Sequence, residues 1–385
     1  MEEKLSGTEL KSLIQSVFSL SPNDKKLAIL IDSPDKTIPD NPQWKKRREI
    51  AQDWTRELKH VKSDLHLESI DLVAYRNVHS NNADLPEVAY IIKAITENML
   101  AENLTNLGLS ISMKQILSDH QIVIAPTEFS ATAPLKLLSK NYGFRAVTMP
   151  GFSREMIPAL KLDYEEINRR VNQIKDELDP AIGMEMKFKV QNENEYLMHF
   201  DLRHRKAHAS GGRFPNPGTA GNLPSGEAYI VPYEGELEDD SLSQGILPVQ
   251  FEDEIVLYSI KKNKAVDIHS EGKYSDIERE KIKREPAYAN ISELGFGVLK
   301  DFGCTPTGSI LMDEKLGLHI AFGRSDHFGG AIGVKDFSSP EKVVHIDRIY
   351  IPETQNRIDV EFVNITLPDG ISKNLMRNGS YTIFS

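Results

Sequence analysis

The chain has 385 residues, enough for two domains, and its 39% hydrophobic and 27% charged content is that of a globular protein with sizeable cores. A formal net charge of −11, from 57 acidic against 46 basic residues, makes a phosphate backbone a poor partner, so nucleic acid is not an expected ligand. One cysteine, Cys304, excludes an internal disulfide and thiolate zinc clusters; no apolar run is long enough to span a membrane, and the opening MEEKLSGTEL lacks a secretory pattern, so a soluble, cytoplasmic protein is expected.

In chain order, residues 26–32 (KLAILID) read as a buried strand and the charged, periodically apolar stretch 41–62 as a helix. Strands follow at 69–75 (SIDLVAY), 120–126 (HQIVIAP) and 144–149 (FRAVTM), with a helix at 131–139. Strands separated by helices imply βαβ units, and hence an α/β domain with a mainly parallel sheet. A charged helix over 163–179 ends before Pro180. From residue 184 the runs become short and alternating: MEMKFKV, EYLMHFDL, EAYIVP, EIVLYSI, HIAFG and VVHIDRIYI, with one helical stretch at 274–284. This places a boundary near 182, with an α/β domain over 1–182 and a β-rich (α+β) domain over 183–385, built on a curved or barrel-like sheet. The stretch 211–226 (GGRFPNPGTAGNLPSG) reads as a long loop; such loops in compact domains are usually functional or disordered.

Chemistry concentrates in the second half. In VVHIDRIYI, strand alternation puts His345 and Asp347 on one face, where they can grip one ion or simply hydrogen-bond to each other. In GLHIAFG, His319 shares its face with Gly317, Ala321 and Gly323, which leaves room beside the imidazole. In ISELGFGV, Glu293 shares its face with Gly295 and Gly297, and strand glycines often mark a close approach. The GFG lacks the third glycine and the following helix of a dinucleotide site. Glu227 closes the Gly/Pro stretch and opens EAYIVP, where it is placed as a ligand or general base. Asp326 adds a further carboxylate. So many carboxylates would over-neutralise one divalent ion but balance two, and oxygen and imidazole donors without thiolate suit zinc, cobalt, manganese or iron. The locally basic stretch 201–213 and Arg324 are candidates to bind a substrate carboxylate or carbonyl, or to pair with nearby acids. Cys304 reads as a buried apolar residue.

The segments PSGEAYIVP, SELGFG, GLHIAFGRSDHFGG and VVHIDRIYI, in that order and with Glu227 and Glu293 66 positions apart, resemble the aminopeptidase T family of metallopeptidases. The resemblance covers roughly residues 220–350. It implies a homodimer, a peptide or small aminoacyl substrate, and a two-metal site (zinc, cobalt or manganese) held by Glu227, Glu293, His319, His345 and Asp347. Where the family carries a tyrosine after the histidine strand, this chain has Asp326 and then His327. Asp326 is therefore a candidate additional ligand, and His327 a candidate polar donor in the tyrosine's place. The expected activity is metal-dependent removal of N-terminal residues, with Glu227 moving the proton and Arg324 or His327 stabilising the oxyanion. Two other readings stand beside it. His319, His345 and Asp347 alone make a two-histidine, one-carboxylate set for a mononuclear Fe(II) ring-cleaving dioxygenase, a class similar to this peptidase family. A degenerate, non-catalytic binding homologue is the third.

Overall fold

The computed structural model describes residues 3–191 and 194–384. The chain divides into two compact units: Met1–Asn168 with Gly212–Ser225 and Thr307–Met312, and Arg169–Gly211 with Gly226–Pro306 and Asp313–Ser385.

The first unit carries strands β1 (Lys26–Ser33), β2 (Ser69–Arg76), β3 (Val88–Ile92), β4 (Gly108–Ser112), β5 (Ile122–Ala125) and β6 (Arg145–Thr148). A late strand, β10 (Ala220–Asn222), joins them, giving the order β10-β6-β5-β1-β2-β3-β4. The pairs from β10 to β2 are parallel, and β3 and β4 add an antiparallel edge. β1 is buried from Leu27 to Ser33, as a central strand covered on both faces must be. Helix Pro42–Val61 starts cleanly because Asn41 caps the Trp44 amide and Pro42, at the first turn, has no N–H to leave unpaired. The stretch expected as one long loop over 211–226 thus contributes an edge strand to this sheet.

The second unit holds two antiparallel sheets. One has eight strands: β7 (Gly183–Val190), β8 (Asn194–Asp201), β12 (Gln244–Phe251), β13 (Glu254–Lys261), β14 (Lys264–Ile268), β18 (Ile358–Thr366), β19 (Ser372–Arg377) and β20 (Ser380–Tyr381). The other has five: β9 (His208–Ser210), β11 (Glu227–Ile230), β15 (Ile291–Gly297), β16 (Leu318–Gly323) and β17 (His345–Ile349), in the order β17-β16-β15-β11-β9. Where the sequence led to one curved or barrel-like sheet, the second unit holds two, each an open run of strands. The helix expected at 274–284 is Lys273–Arg284. One face of the five-stranded sheet is apolar: Leu294, Phe296, Ile320 and Phe322 are fully buried, and Phe322 packs on Tyr258 and Tyr288 at ring-centre distances of 5.0 and 5.7 Å. The opposite face carries the site.

Candidate metal centre

Cross-strand register assembles the site. Glu227 stands opposite Gly297, and Tyr229 opposite Gly295. Gly295 in turn faces His319, and Glu293 faces Ala321. On the far side Ala321 faces Asp347, and Gly323 faces His345. Each of the five expected ligands therefore has glycine or alanine as a cross-strand neighbour on the same face. The small residues make way for specific groups. A methyl at Gly295 would lie 1.9 Å from His319 Nε2, so the imidazole lies directly over that glycine. A methyl at Gly297 would lie 2.2 Å from the Lys315 carbonyl carbon, so the backbone of a short turn, Glu314–Leu316, lies over that one.

The five side chains converge. His319 Nε2 is 3.6 Å from Glu227 Oε2 and 3.6 Å from Glu293 Oε1. The other oxygen of Glu293 is 3.0 Å from His345 Nε2, which is 3.6 Å from Asp347 Oδ1. Two donor groups result, Glu227–Glu293–His319 and Glu293–His345–Asp347, and Glu293 belongs to both. Glu227, Glu293 and His319 are buried at 6%, 4% and 1% exposure, while His345 and Asp347 are partly buried.

The donor chemistry fits a divalent ion. His319 Nδ1 lies 3.2 Å from the Gly317 carbonyl and His345 Nδ1 2.9 Å from the Arg324 carbonyl. A carbonyl only accepts, so each Nδ1 carries a hydrogen and each Nε2 is left to face the carboxylates, either as a second N–H donor or as a lone pair toward a cation. The latter is the tautomer of a metal-ligating histidine with its other nitrogen anchored. Between each Nε2 and the carboxylate oxygens there must be either a second ring proton or a cation. Glu227 Oε2, His319 Nε2 and Asp347 Oδ1 are buried and have no hydrogen-bond partner among the described residues. Their 3.6 Å separations are too long for hydrogen bonds but match the edge of a ligand tetrahedron, about 3.4 Å for bonds of about 2.1 Å.

The same crowding shows in the acidities. Burial alone would favour neutral Glu293, but the His319 and His345 imidazoles hold its carboxyl well below the usual range. Burial would depress both histidines, yet Glu293, Asp347 and Glu227 push His319 up to about 9, and Asp347 and Glu293 push His345 well above its ordinary value. Glu227 is raised, chiefly by burial. The site calls for positive charge from protons or from metal.

Arg324, Asp326 and His327 lie outside both donor groups. Arg324 Nε donates to Asp326 Oδ1, and His327 Nδ1 is 3.5 Å from the same oxygen. The His327 ring stands edge-on to His345 at 5.5 Å and close to Phe328 at 3.9 Å. Burial and the nearby His345 and Arg324 charges push its pKa down to about 4, so it is a neutral imidazole at neutral pH. In the basic stretch, Arg203 is bound to Asp201, and Arg205 to Glu236, so both are committed to local acids. Cys304 is buried, and its thiol is pushed up to about 11 by that burial.

Three groups were missed in the sequence. Lys315, 2% exposed, reaches both Glu227 Oε1 and Glu314. Glu314 is pushed up to about 7 by burial and by Glu227 and Asp347 nearby, against the pull of Lys315. Tyr229 stacks on His208 at 5.1 Å and meets Phe328 at 4.8 Å, and its hydroxyl is raised by burial and by Glu293 and Glu227. The same-face spacing from Glu227 was the available signal for Tyr229. Lys315 gives none, because it sits in a turn rather than on a strand.

Neither a protein-family model nor a curated protein matches the sequence. Among solved structures, the fold is similar to that of the 2,5-dihydroxypyridine dioxygenase from Pseudomonas putida KT2440, at 16% identity and a TM-score of 0.61 over 99% of each chain. It is also similar to wild-type AmpT from Thermus thermophilus, at 14% identity and a TM-score of 0.55 over 98% of each chain. At these identities the likeness establishes a shared fold, common to this chain and to both proteins.

Proposed function

We propose that this chain is a metal-dependent aminopeptidase that hydrolyses N-terminal residues from peptides or small aminoacyl compounds, using two divalent ions. The observation that carries this reading is Glu293. Its two oxygens face two different histidines, the arrangement of a carboxylate shared by two ions. The fold shared with AmpT and the motif resemblance to the aminopeptidase T family support it.

His319, Glu227 and Glu293 would hold one ion, and His345, Asp347 and Glu293 the other. Such a pair lowers the pKa of bound water and polarises a carbonyl. The protein's own groups do the rest. The Gly317 and Arg324 carbonyls fix the two imidazoles. Glu227 would use Oε2 as the ligand, which leaves Oε1, held by Lys315, as the oxygen the ion does not use and the one to take a proton from water and return it to the leaving amine. His327, neutral and beside His345, and Arg324 are placed to donate to a developing oxyanion. Asp326 orients Arg324 in this scheme.

Purified Glu293→Gln protein tests the reading. It should lose bound metal and aminopeptidase activity together, and retention of both would sink the assignment. A second reading, a one-iron ring-cleaving dioxygenase on His319, His345 and Asp347, draws support from Lys315, which already supplies a positive charge on the Glu227 side, and from the fold shared with the Pseudomonas enzyme. One iron per chain, with oxygen uptake on a dihydroxylated aromatic, would favour it. Two ions with hydrolysis favour the aminopeptidase.

A further inference from the structure

We infer that Lys315 is a built-in cation that makes the two halves of the centre unequal: the Glu293–His345–Asp347 half holds its divalent ion tightly, and the Glu227–Glu293–His319 half holds its ion loosely. The inference rests on the two-ion reading above and concerns how that pair is filled.

The two halves differ in what neutralises them. Asp347 Oδ1 has no hydrogen-bond partner among the described residues, and no Lys or Arg ion pair with Asp347 is found among them. Glu227 is different, because the Lys315 ammonium is bound to its Oε1. That contact takes one oxygen, so Glu227 can offer an ion only Oε2. It also places an ammonium, shared with Glu314, one carboxylate away from the position the ion would take. Both effects weaken cation binding on that side and leave the other side nearly untouched.

Lys315 has nowhere else to go. Its side chain is 3% exposed, and its second partner is Glu314, itself 18% exposed. The turn that carries it is laid on Gly297, the cross-strand neighbour of Glu227, where any larger residue would collide with backbone. A lysine is costly to bury unless it is paired. Here it is paired with a ligand candidate in place of solvent. Gly297 and Lys315 are thus two parts of one device: the first admits the turn, and the second delivers the charge.

The test is equilibrium dialysis of metal-free, full-length protein against a series of free Mn²⁺ or Zn²⁺ concentrations, with bound metal read by elemental analysis. Wild type should fill in two steps, the second at a free-ion concentration roughly tenfold or more above the first. Lys315→Met should bring the second step down by about tenfold or more, and Lys315→Arg, which keeps the charge, should keep the steps apart. If Lys315→Met fails to fold because Glu227 and Glu314 are left facing each other, the Glu314→Gln/Lys315→Met double variant removes one carboxylate with the ammonium and should give the same result. Two ions binding in a single step to wild type, or a second step that Lys315→Met leaves in place, would overturn the inference. No divalent ion binding to wild type would overturn the metal reading itself. Two separated steps that merge in Lys315→Met, without peptide hydrolysis, would leave this inference standing and remove only the assigned reaction.

Discussion

Glu293, Gly295 and His319 show how much one position can carry. Glu293 is shared by both donor groups, and the His319 ring lies over Gly295. Gly295→Ala would put a methyl into the imidazole, so His319 must leave its place. We expect that variant to fold but to lose the ion on the Glu227 side, with bound metal falling by up to half in elemental analysis; full metal content would show that the ring has room to adapt. A second residue-scale prediction concerns Asp32, at the end of β1 in the first unit. It is 1% exposed, and burial raises its pKa to about 6 despite hydrogen bonds from the Glu128 and Phe129 amides and the Trp44 indole. A folded-state pKa above the ordinary carboxyl value means the native state binds the proton more tightly than the unfolded chain. Stability from this group is therefore present at low pH and lost as pH rises from about 4 to about 6, by about 3 kcal/mol. The stability of wild type relative to Asp32→Asn should fall by that amount across this window. Both tryptophans, Trp44 and Trp54, lie in the first unit, so their fluorescence in denaturant titrations reports it. A pH-independent difference would refute the raised acidity.

At the scale of elements, the site depends on a segment that is not a regular strand. Residues 323–332 carry Arg324, whose carbonyl orients His345, and also His327 and Phe328, whose rings border it. A buried carboxylate from elsewhere ties this segment down. Glu234 accepts hydrogen bonds from the Asn290 amide, the Ser325 hydroxyl and the Ala331 amide, and Asn290 also donates to the Gly323 carbonyl. Glu234→Ala strands donors on the buried Asn290 and Ser325 and on the half-buried Ala331, a loss of about 3 kcal/mol by the cost of unmade hydrogen bonds to a charged acceptor. Hydrogen exchange across 323–332 should speed up, and metal affinity should drop because His345 loses its anchor. Unchanged exchange there would show that the segment is held by its own turns.

For the whole molecule, ligand linkage gives the expectation. An ion that binds only the native state raises stability by about 2.7 kcal/mol at a hundredfold excess over its dissociation constant. Chelator should therefore lower the thermal midpoint and added divalent ion restore it, followed by circular dichroism; a midpoint indifferent to both would argue against a folded-state site. At this scale the element order was largely legible in advance. Strands expected at 26–32, 69–75, 120–126 and 144–149 correspond to β1, β2, β5 and β6, because each is an apolar run bounded by breaking residues. The antiparallel strands β3 and β4 were not seen: they carry exposed and half-buried positions, so their apolar signal is weak. No helix among the described residues is long and apolar enough to cross a membrane.

The sequence by itself determined the kinds of donor and the faces they share. Alternation along a strand is a local property, so pairing Glu293 with glycines, or His345 with Asp347, needed no tertiary information. Only the tertiary structure decided what those small residues make room for, because register sets cross-strand neighbours and register is fixed by the packing of whole strands. It put His319 on Gly295, a turn on Gly297, and Lys315 against Glu227. A charge delivered from a turn leaves no period in the sequence, and for that reason the cation beside the site became visible only in the fold.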